Sequence, residues 1–271
     1  MQAGRWVEEP GRRMAPGGGF PWLCTPLVGC NREELAAELR EIVPKRPDLL
    51  EWRADHFGDV GDVEAVIETA QAIRAAAPTI PLLFTMRSVV EGGQPVALDD
   101  EQIVALCAAV CAHAGIAWID YEMRQPAERI AAVRAVAQTH GVRLLLSFHD
   151  FGRTPSVEAM TAKFFLAQER GADVAKIAVM PHSIDDVLAL LTATRHASKV
   201  LTIPVAGMSM GALGALSRWM GWTCGSALVF VVGASSSAPG QVRIEDMREV
   251  LAKMQQTMQP PGVPYPKGSG R

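Results

Sequence analysis

No stretch of the chain approaches the about 20 consecutive apolar residues that a bilayer-spanning helix needs, so a membrane-embedded role is not expected. Nor is positive charge in excess. With 26 lysines and arginines against 29 acids the net charge is -3, which leaves no basic stripe to track a nucleic acid. The N-terminus carries arginines but lacks the continuous apolar core and small-residue cleavage site of a secretory signal, and the expected location is the cytoplasm. Five cysteines, an odd number without framework spacing, read as reduced thiols. Cys107 and Cys111 fall one helical turn apart with His113 nearby, but their alanine- and valine-rich surroundings make them small buried hydrophobes, and no metal is expected there. No G-x-G-x-x-G turn follows the first apolar segment, so the signature of a dinucleotide site is missing too. The expected partner is a small molecule.

What is present is a long, regular alternation. At 271 residues and 49% apolar content the chain can bury a full core, either as two small domains or as one large barrel. Residues 1–20, with Gly17-Gly18-Gly19 and two prolines, show no periodicity and read as a disordered leader without assigned function. Residues 259–271 read as a flexible tail. Between them, short apolar runs near 22–28, 49–53, 81–86, 116–122, 142–149, 173–179, 200–206 and 227–231 predict strands. Each is followed by a helical pattern, near 32–43, 62–76, 99–113, 126–140, 156–170, 183–197, 211–220 and 244–255. Eight strand–helix units in residues 21–258 predict a single (β/α)8 TIM barrel, with a doubly wound open sheet as the competing topology.

In such a barrel the middle is expected to be apolar and the C-terminal strand ends carry the chemistry. Charged residues recur at those ends. Glu51 and Arg53 lie two apart on the second strand and point the same way, and Asp55 follows if the strand continues. Arg87 closes the third strand, Asp120 and Glu122 the fourth, and His149 the fifth. Lys176 lies in the apolar run Ala172 to Pro181 on the sixth, where burial is expected to favour the free amine, with Arg53 and Arg87 adding positive charge nearby. A free amine attacks ketones to form an imine. His149 is the natural proton carrier, with Asp120 or Glu91 to orient its ring. Arg218 offers a fork of donors for a carboxylate, though on its helix it can equally be a surface arginine. The small-residue loop from Gly233 to Gln241 suits a lid. Several readings stay open on these residues: a lysine-imine barrel such as an aldolase, a metal-dependent barrel using Asp120, Glu122 and His149, and a non-catalytic metabolite-binding barrel.

Six stretches in order narrow the choice: Glu51-Trp52-Arg53-Ala54-Asp55, Phe84-Thr85-Met86-Arg87-Ser88 with Glu91-Gly92-Gly93, Ser147-Phe148-His149-Asp150-Phe151, Ala175 to Pro181, Met208-Ser209-Met210-Gly211 with Ser217-Arg218, and Ser237 to Gln241. From Trp22 to the last helix the chain resembles the type I 3-dehydroquinate dehydratases. The resemblance implies a homodimeric (β/α)8 lyase without a cofactor that dehydrates 3-dehydroquinate to 3-dehydroshikimate through a lysine imine, in the shikimate pathway of aromatic amino-acid synthesis or in quinate breakdown. It implies that Lys176 forms the imine, that His149 is the general acid/base, and that Asp120 and Glu91 orient it. Arg218 is then the carboxylate clamp, and Glu51, Arg53, Arg87, Ser237 and Gln241 are the groups that hold the substrate's hydroxyls and carboxylate. One departure stands at the first strand, where Pro26 occupies the place of a family serine and Thr25 is a candidate substitute.

Overall fold

The computed structural model describes residues 7–9, 12–14 and 19–258. A short antiparallel hairpin comes first, β1 (Val7–Glu9) paired with β2 (Arg12–Met14). Eight parallel strands follow: β3 (Trp22–Leu27), β4 (Leu49–Arg53), β5 (Leu82–Thr85), β6 (Trp118–Glu122), β7 (Arg143–Asp150), β8 (Val174–Val179), β9 (Val205–Ser209) and β10 (Leu228–Phe230). Each pairs with its sequence neighbour, and β10 returns to pair with β3. The remaining seam closes through a bridge between Val205 and Ser226, with the Ala227 amide donating to the Val205 carbonyl at 2.8 Å. The result is the expected single barrel, and the open-sheet alternative falls.

The outer layer is eight helices: α1 (Arg32–Ile42), α2 (Val63–Ala76), α3 (Asp100–His113), α4 (Ala127–Thr139), α5 (Val157–Glu169), α6 (Ile184–Val200), α7 (Ala215–Met220) and α8 (Ile244–Met258). Polar caps start most of them just beyond a strand end. Asn31, Asp62 and Ser156 accept from first-turn amides, and Asp99 and Ser183 build full capping boxes. Among the described residues no helix is long and apolar enough to cross a membrane.

Strand alternation sorts the apolar residues into two shells. Trp52, Ile119, Tyr121, Leu146, Phe148, Ala175 and Ile177 face the helices, together with the buried Cys107 and Cys111 of α3. Trp22, Cys24, Leu49, Leu83, Trp118, Leu145 and Val174 fill the lower barrel interior. Truncating one of these leucines to alanine is worth about 2–5 kcal/mol, which sets how rigidly the strand ends above are held.

Three expectations need correction. The leader of residues 1–20 is not without structure: Val7 and Met14 of the hairpin are buried in the same cluster as Trp22 and Trp118, which plugs the lower end of the barrel. Its other residues up to 18, and the expected tail 259–271, lie outside the described residues. The seventh barrel strand is β9 at Val205–Ser209 rather than 200–206, because α6 runs three residues longer than its alanine pattern suggests and Pro204 offers no amide to a ladder. Gly207 belongs to that strand for a packing reason: a Cβ there would lie 2.0 Å from Thr194 Oγ1 on α6. Finally, α7 is only Ala215–Met220, since residues 211–214 form a loop over the barrel mouth.

Candidate active site

The alternation that sends Trp52, Ile119, Phe148 and Ile177 outward sends Glu51 and Arg53, Asp120 and Glu122, Ser147 and His149, and Lys176 inward. The polar shell reaches one layer deeper than a barrel with an apolar middle would allow. That depth is tolerated because each charge there meets an opposite charge or a donor. A small cavity opens above these groups, and its walls include Glu51, Arg53, Arg87, Glu91, His149, Lys176, Arg218, Ser237 and Gln241. Nine of the ten residues singled out in the sequence therefore line one pocket. The tenth, Asp120, lies just beneath it.

Lys176 is 4% exposed on β8. Its Nζ lies 3.4 Å from Asp120 Oδ2, 3.9 Å from Glu51 Oε1 and 3.8 Å from the centre of the Phe230 ring. Its setting thus differs from the sequence expectation. The apolar neighbours Ala175 and Ile177 face the helices, while the amine itself meets two carboxylates and an aromatic face. Positive charge does stand nearby, since Arg87 Nη2 and Lys176 Nζ meet the same Asp120 Oδ2. Arg53 forks onto Asp55 with both contacts at 2.8 Å, and Arg87 sits 2.7 Å from Asp120, 3.3 Å from Glu122 and 3.7 Å from Glu91. Asp55 is not a strand residue but belongs to a single helical turn at 54–56, buried all the same.

Asp120 is the hub beneath the pocket. Its Oδ1 accepts from Ser147 Oγ at 2.6 Å, and Ser147 in turn accepts from Arg87 Nη1 at 2.8 Å. Burial works against its negative charge, but Arg87 and Lys176 hold its carboxyl below the usual carboxylate range. Asp120 makes no hydrogen bond to His149, which corrects the expectation that it helps orient the ring. Its Oδ2 lies beside the lysine instead. Glu51 accepts from Thr85 Oγ1 at 3.1 Å and forms the other wall of the lysine's seat.

His149 is oriented by Glu91 alone. Its Nδ1 lies 2.8 Å from Glu91 Oε2, and its backbone amide donates to the same oxygen at 3.0 Å. Glu91 reaches that position from a helical turn at Val89–Glu91, capped by Ser88, just past β5. Burial, reinforced by Arg87, Lys176, Arg53 and Arg124, pulls the imidazole well below its ordinary value. Burial pushes the Glu91 carboxyl up to about 8, against the pull of Arg87 and Arg124. The ring is neutral, and Nε2 is the nitrogen left to the pocket. Because His149 turns to Glu91 while Glu122 accepts from the Ser88 amide and hydroxyl, Asp120, Glu122 and His149 do not converge, and the metal-dependent reading loses its ligand set.

Arg218 is 1% exposed, not a surface residue. Its Nη1 donates to the Phe230 carbonyl at 3.3 Å and its Nη2 to the Pro239 carbonyl at 3.2 Å. It has no carboxylate partner among the described residues, and burial lowers it to about 10. Ser237 and Gln241 hold each other across the loop: Gln241 Oε1 accepts from the Ser237 amide at 3.0 Å, and Gln241 Nε2 donates to Ser237 Oγ at 3.1 Å. Gly240 lets this loop cross the one after β9. It has φ 76, and a Cβ there would lie 2.3 Å from the Gly211 carbonyl. Thr25 does not stand in for a strand-one hydroxyl. It faces outward, where it crowds Gly233 beside Ile42, while Pro26 pairs across from Glu51.

Sequence reasoning passed over Thr85, Ser147 and Arg124. Ser147 was legible by alternation, two residues before His149, and Arg124 stands two residues past Glu122. Both read as ordinary polar residues until the partners were brought near.

Comparisons with known proteins agree with this geometry. The family model described as type I 3-dehydroquinase matches residues 23–258. The 3-dehydroquinate dehydratase of Albidiferax ferrireducens is 52% identical over 258 residues, covering 95% of this chain and 97% of that one. The crystal structure of 3-dehydroquinate dehydratase from Geobacillus kaustophilus superposes with a TM-score of 0.90 at 44% identity, covering 94% of this chain and 98% of that one. A type I 3-dehydroquinate dehydratase from Clostridium difficile, solved with covalently modified comenic acid, gives 0.88 at 35% identity, covering 94% and 99%. A barrel with this pocket, matched along nearly its whole length, belongs to the type I 3-dehydroquinase family.

Proposed function

We propose that the protein is a hydro-lyase of the shikimate pathway that dehydrates 3-dehydroquinate to 3-dehydroshikimate, with Lys176 forming an imine to the substrate ketone. The observation that carries this reading is the pairing, in one pocket, of a buried amine on β8 with a neutral imidazole hung from Glu91 on β7. Quinate breakdown uses the same step.

The chemistry follows from those groups. Nζ adds to the ketone carbon, and the carbinolamine loses water to give an iminium. The iminium withdraws electrons from the adjacent carbon, so His149 Nε2 can take a proton there. The resulting enamine expels the hydroxyl one carbon further on, and the proton held by His149 accompanies it as water. Hydrolysis of the product imine returns the amine. Asp120 and Glu51 balance the positive charge that stays at nitrogen through these steps, and Glu91 balances the charge on the imidazolium. Arg218 faces the substrate carboxylate, and Arg53, Arg87, Ser237 and Gln241 meet its other oxygens. The aldolase-type alternative shares the lysine but gives Arg218 no role.

Intact-mass measurement after 3-dehydroquinate and then borohydride, with peptide mapping, tests the reading. An adduct on Lys176 with the mass of the dehydrated product is expected. A folded protein that turns substrate over without any such adduct would reject the imine.

The expected assembly is a cytoplasmic homodimer. Ile184 and Leu188, one turn apart on α6, are half-exposed, as are Leu213 and Leu216, and exposed apolar side chains of this size are the kind a second copy covers. A stable monomer in light scattering would remove the dimer.

A further inference from the structure

We propose that Arg124 is a positioning residue for the acid/base pair: it forms an ion pair with the second oxygen of Glu91 and so holds that carboxylate toward His149. The proposal rests on His149 being the proton carrier of the reaction above.

The geometry is specific. Arg124 stands just past β6, and its Nε lies 3.1 Å from Glu91 Oε1 while His149 Nδ1 lies 2.8 Å from Glu91 Oε2. Its Nη2 donates to the His149 carbonyl at 3.3 Å, and its guanidinium lies 4.6 Å from the centre of the Phe148 ring. One side chain thus holds the carboxylate, the backbone of the histidine and the ring between them. Arg124 reaches in from the solvent edge, 43% exposed, and does not line the pocket, so it acts through Glu91 and not on the substrate.

The charges around Glu91 explain why a second cation is needed. Arg87 approaches it at 3.7 Å but is closer to Asp120 and Glu122, and those two carboxylates themselves oppose ionisation of Glu91. Lys163 of α5 also lies over Phe148, 3.8 Å from the ring centre and within the field of Glu91. His149 feels Arg87, Lys176, Arg53 and Arg124. Glu91 and His149 share one dissociable proton, so its titration belongs to the pair. When it leaves, as pH rises through about 8, the anionic carboxylate accepts from Nδ1–H and Nε2 is free to act as base. Arg124 favours that deprotonated state. Without it, the proton is held to higher pH.

The test is Arg124→Met, which keeps an apolar stem over Phe148, beside Arg124→Lys, which keeps the charge. In the wild type, kcat should climb with pH and level off above about 8. In Arg124→Met that limb should move up by about one unit, with kcat about tenfold lower at neutral pH, unchanged KM, and recovery to the wild-type plateau at high pH. Arg124→Lys should fall between the two. A wild-type profile in Arg124→Met, or a loss of kcat that persists at high pH, would overturn the proposal. If Arg124→Met does not fold, Arg124→Lys decides: its limb must be displaced in the same direction by less than one unit, and an unmoved limb overturns the proposal. The ¹⁵N titration of the His149 ring in wild type and both variants reads the same coupling without turnover. A wild type that turns over no 3-dehydroquinate while the ring titration still shifts on substitution would therefore count against the proposed activity and not against Arg124.

Discussion

On the β4 to β8 side of the pocket every buried cation meets a carboxylate: Arg53 meets Asp55, Arg87 meets Asp120 and Glu122, and Lys176 meets Asp120 and Glu51. Across the cavity, the partners of Arg218 among the described residues are the carbonyls of Phe230 and Pro239. Burying an ion costs several kcal/mol before pairing, so the first side is settled within the protein while the second gains most from an anion that arrives with the substrate. The difference separates two jobs. In the proposed reaction the settled side is the one that makes the bond at Lys176 and moves the proton at His149, and the Arg218 side is the one that takes the carboxylate.

The largest effect expected from breaking this division is Lys176→Ala, which should remove turnover and the borohydride adduct together, read by steady-state assay and intact mass. Near-normal turnover in that variant would end the imine mechanism. His149→Ala should slow turnover by roughly 10² to 10⁴-fold, the usual worth of a general acid/base, while an adduct on Lys176 still accumulates. Equal loss of adduct and turnover would mean that the imidazole serves imine formation alone. On the other side, Arg218→Ala should lower kcat/KM by roughly ten- to a hundredfold, mostly through KM, since a charge-assisted hydrogen bond is worth about 1.5–3 kcal/mol. A substrate analogue lacking the carboxylate should bind wild type and variant alike; if the variant binds the analogue more weakly, Arg218 is a packing residue.

The smallest effect concerns the loop that covers that side. Gly240→Ala places a side chain at positive φ against the Gly211 carbonyl, a strain of about 1–2 kcal/mol that should loosen the contact between the two loops. Faster limited proteolysis between Gly233 and Gln241, and less protection of this segment by product, are the expected readouts. Unchanged cleavage would show that the loop does not close on the ligand.

Much of this site was legible because the relevant side chains obey strand alternation. Glu51 with Arg53, and the single inward positions Asp120, His149 and Lys176, follow from period two once the barrel is recognised. Glu91 was harder: it sits on a single helical turn beyond β5, and only the motif around Arg87 flagged it. Arg218 was ambiguous, since one short helix gives no sign of which face is buried. The seventh strand slipped because Gly207 and Met208 carry little strand propensity and the fit of Gly207 against Thr194 is a contact between distant segments.

By itself the sequence determined the alternation of eight strands and eight helices, the inward residues of each strand and the presence of a buried amine beside an imidazole. Those depend on local periodicity and residue chemistry. Which charge meets which was decided only when the barrel closed. Asp120 went to Lys176 and not to His149, and Arg124 reached Glu91, because ion pairing depends on distances of a few ångströms between segments far apart in the chain.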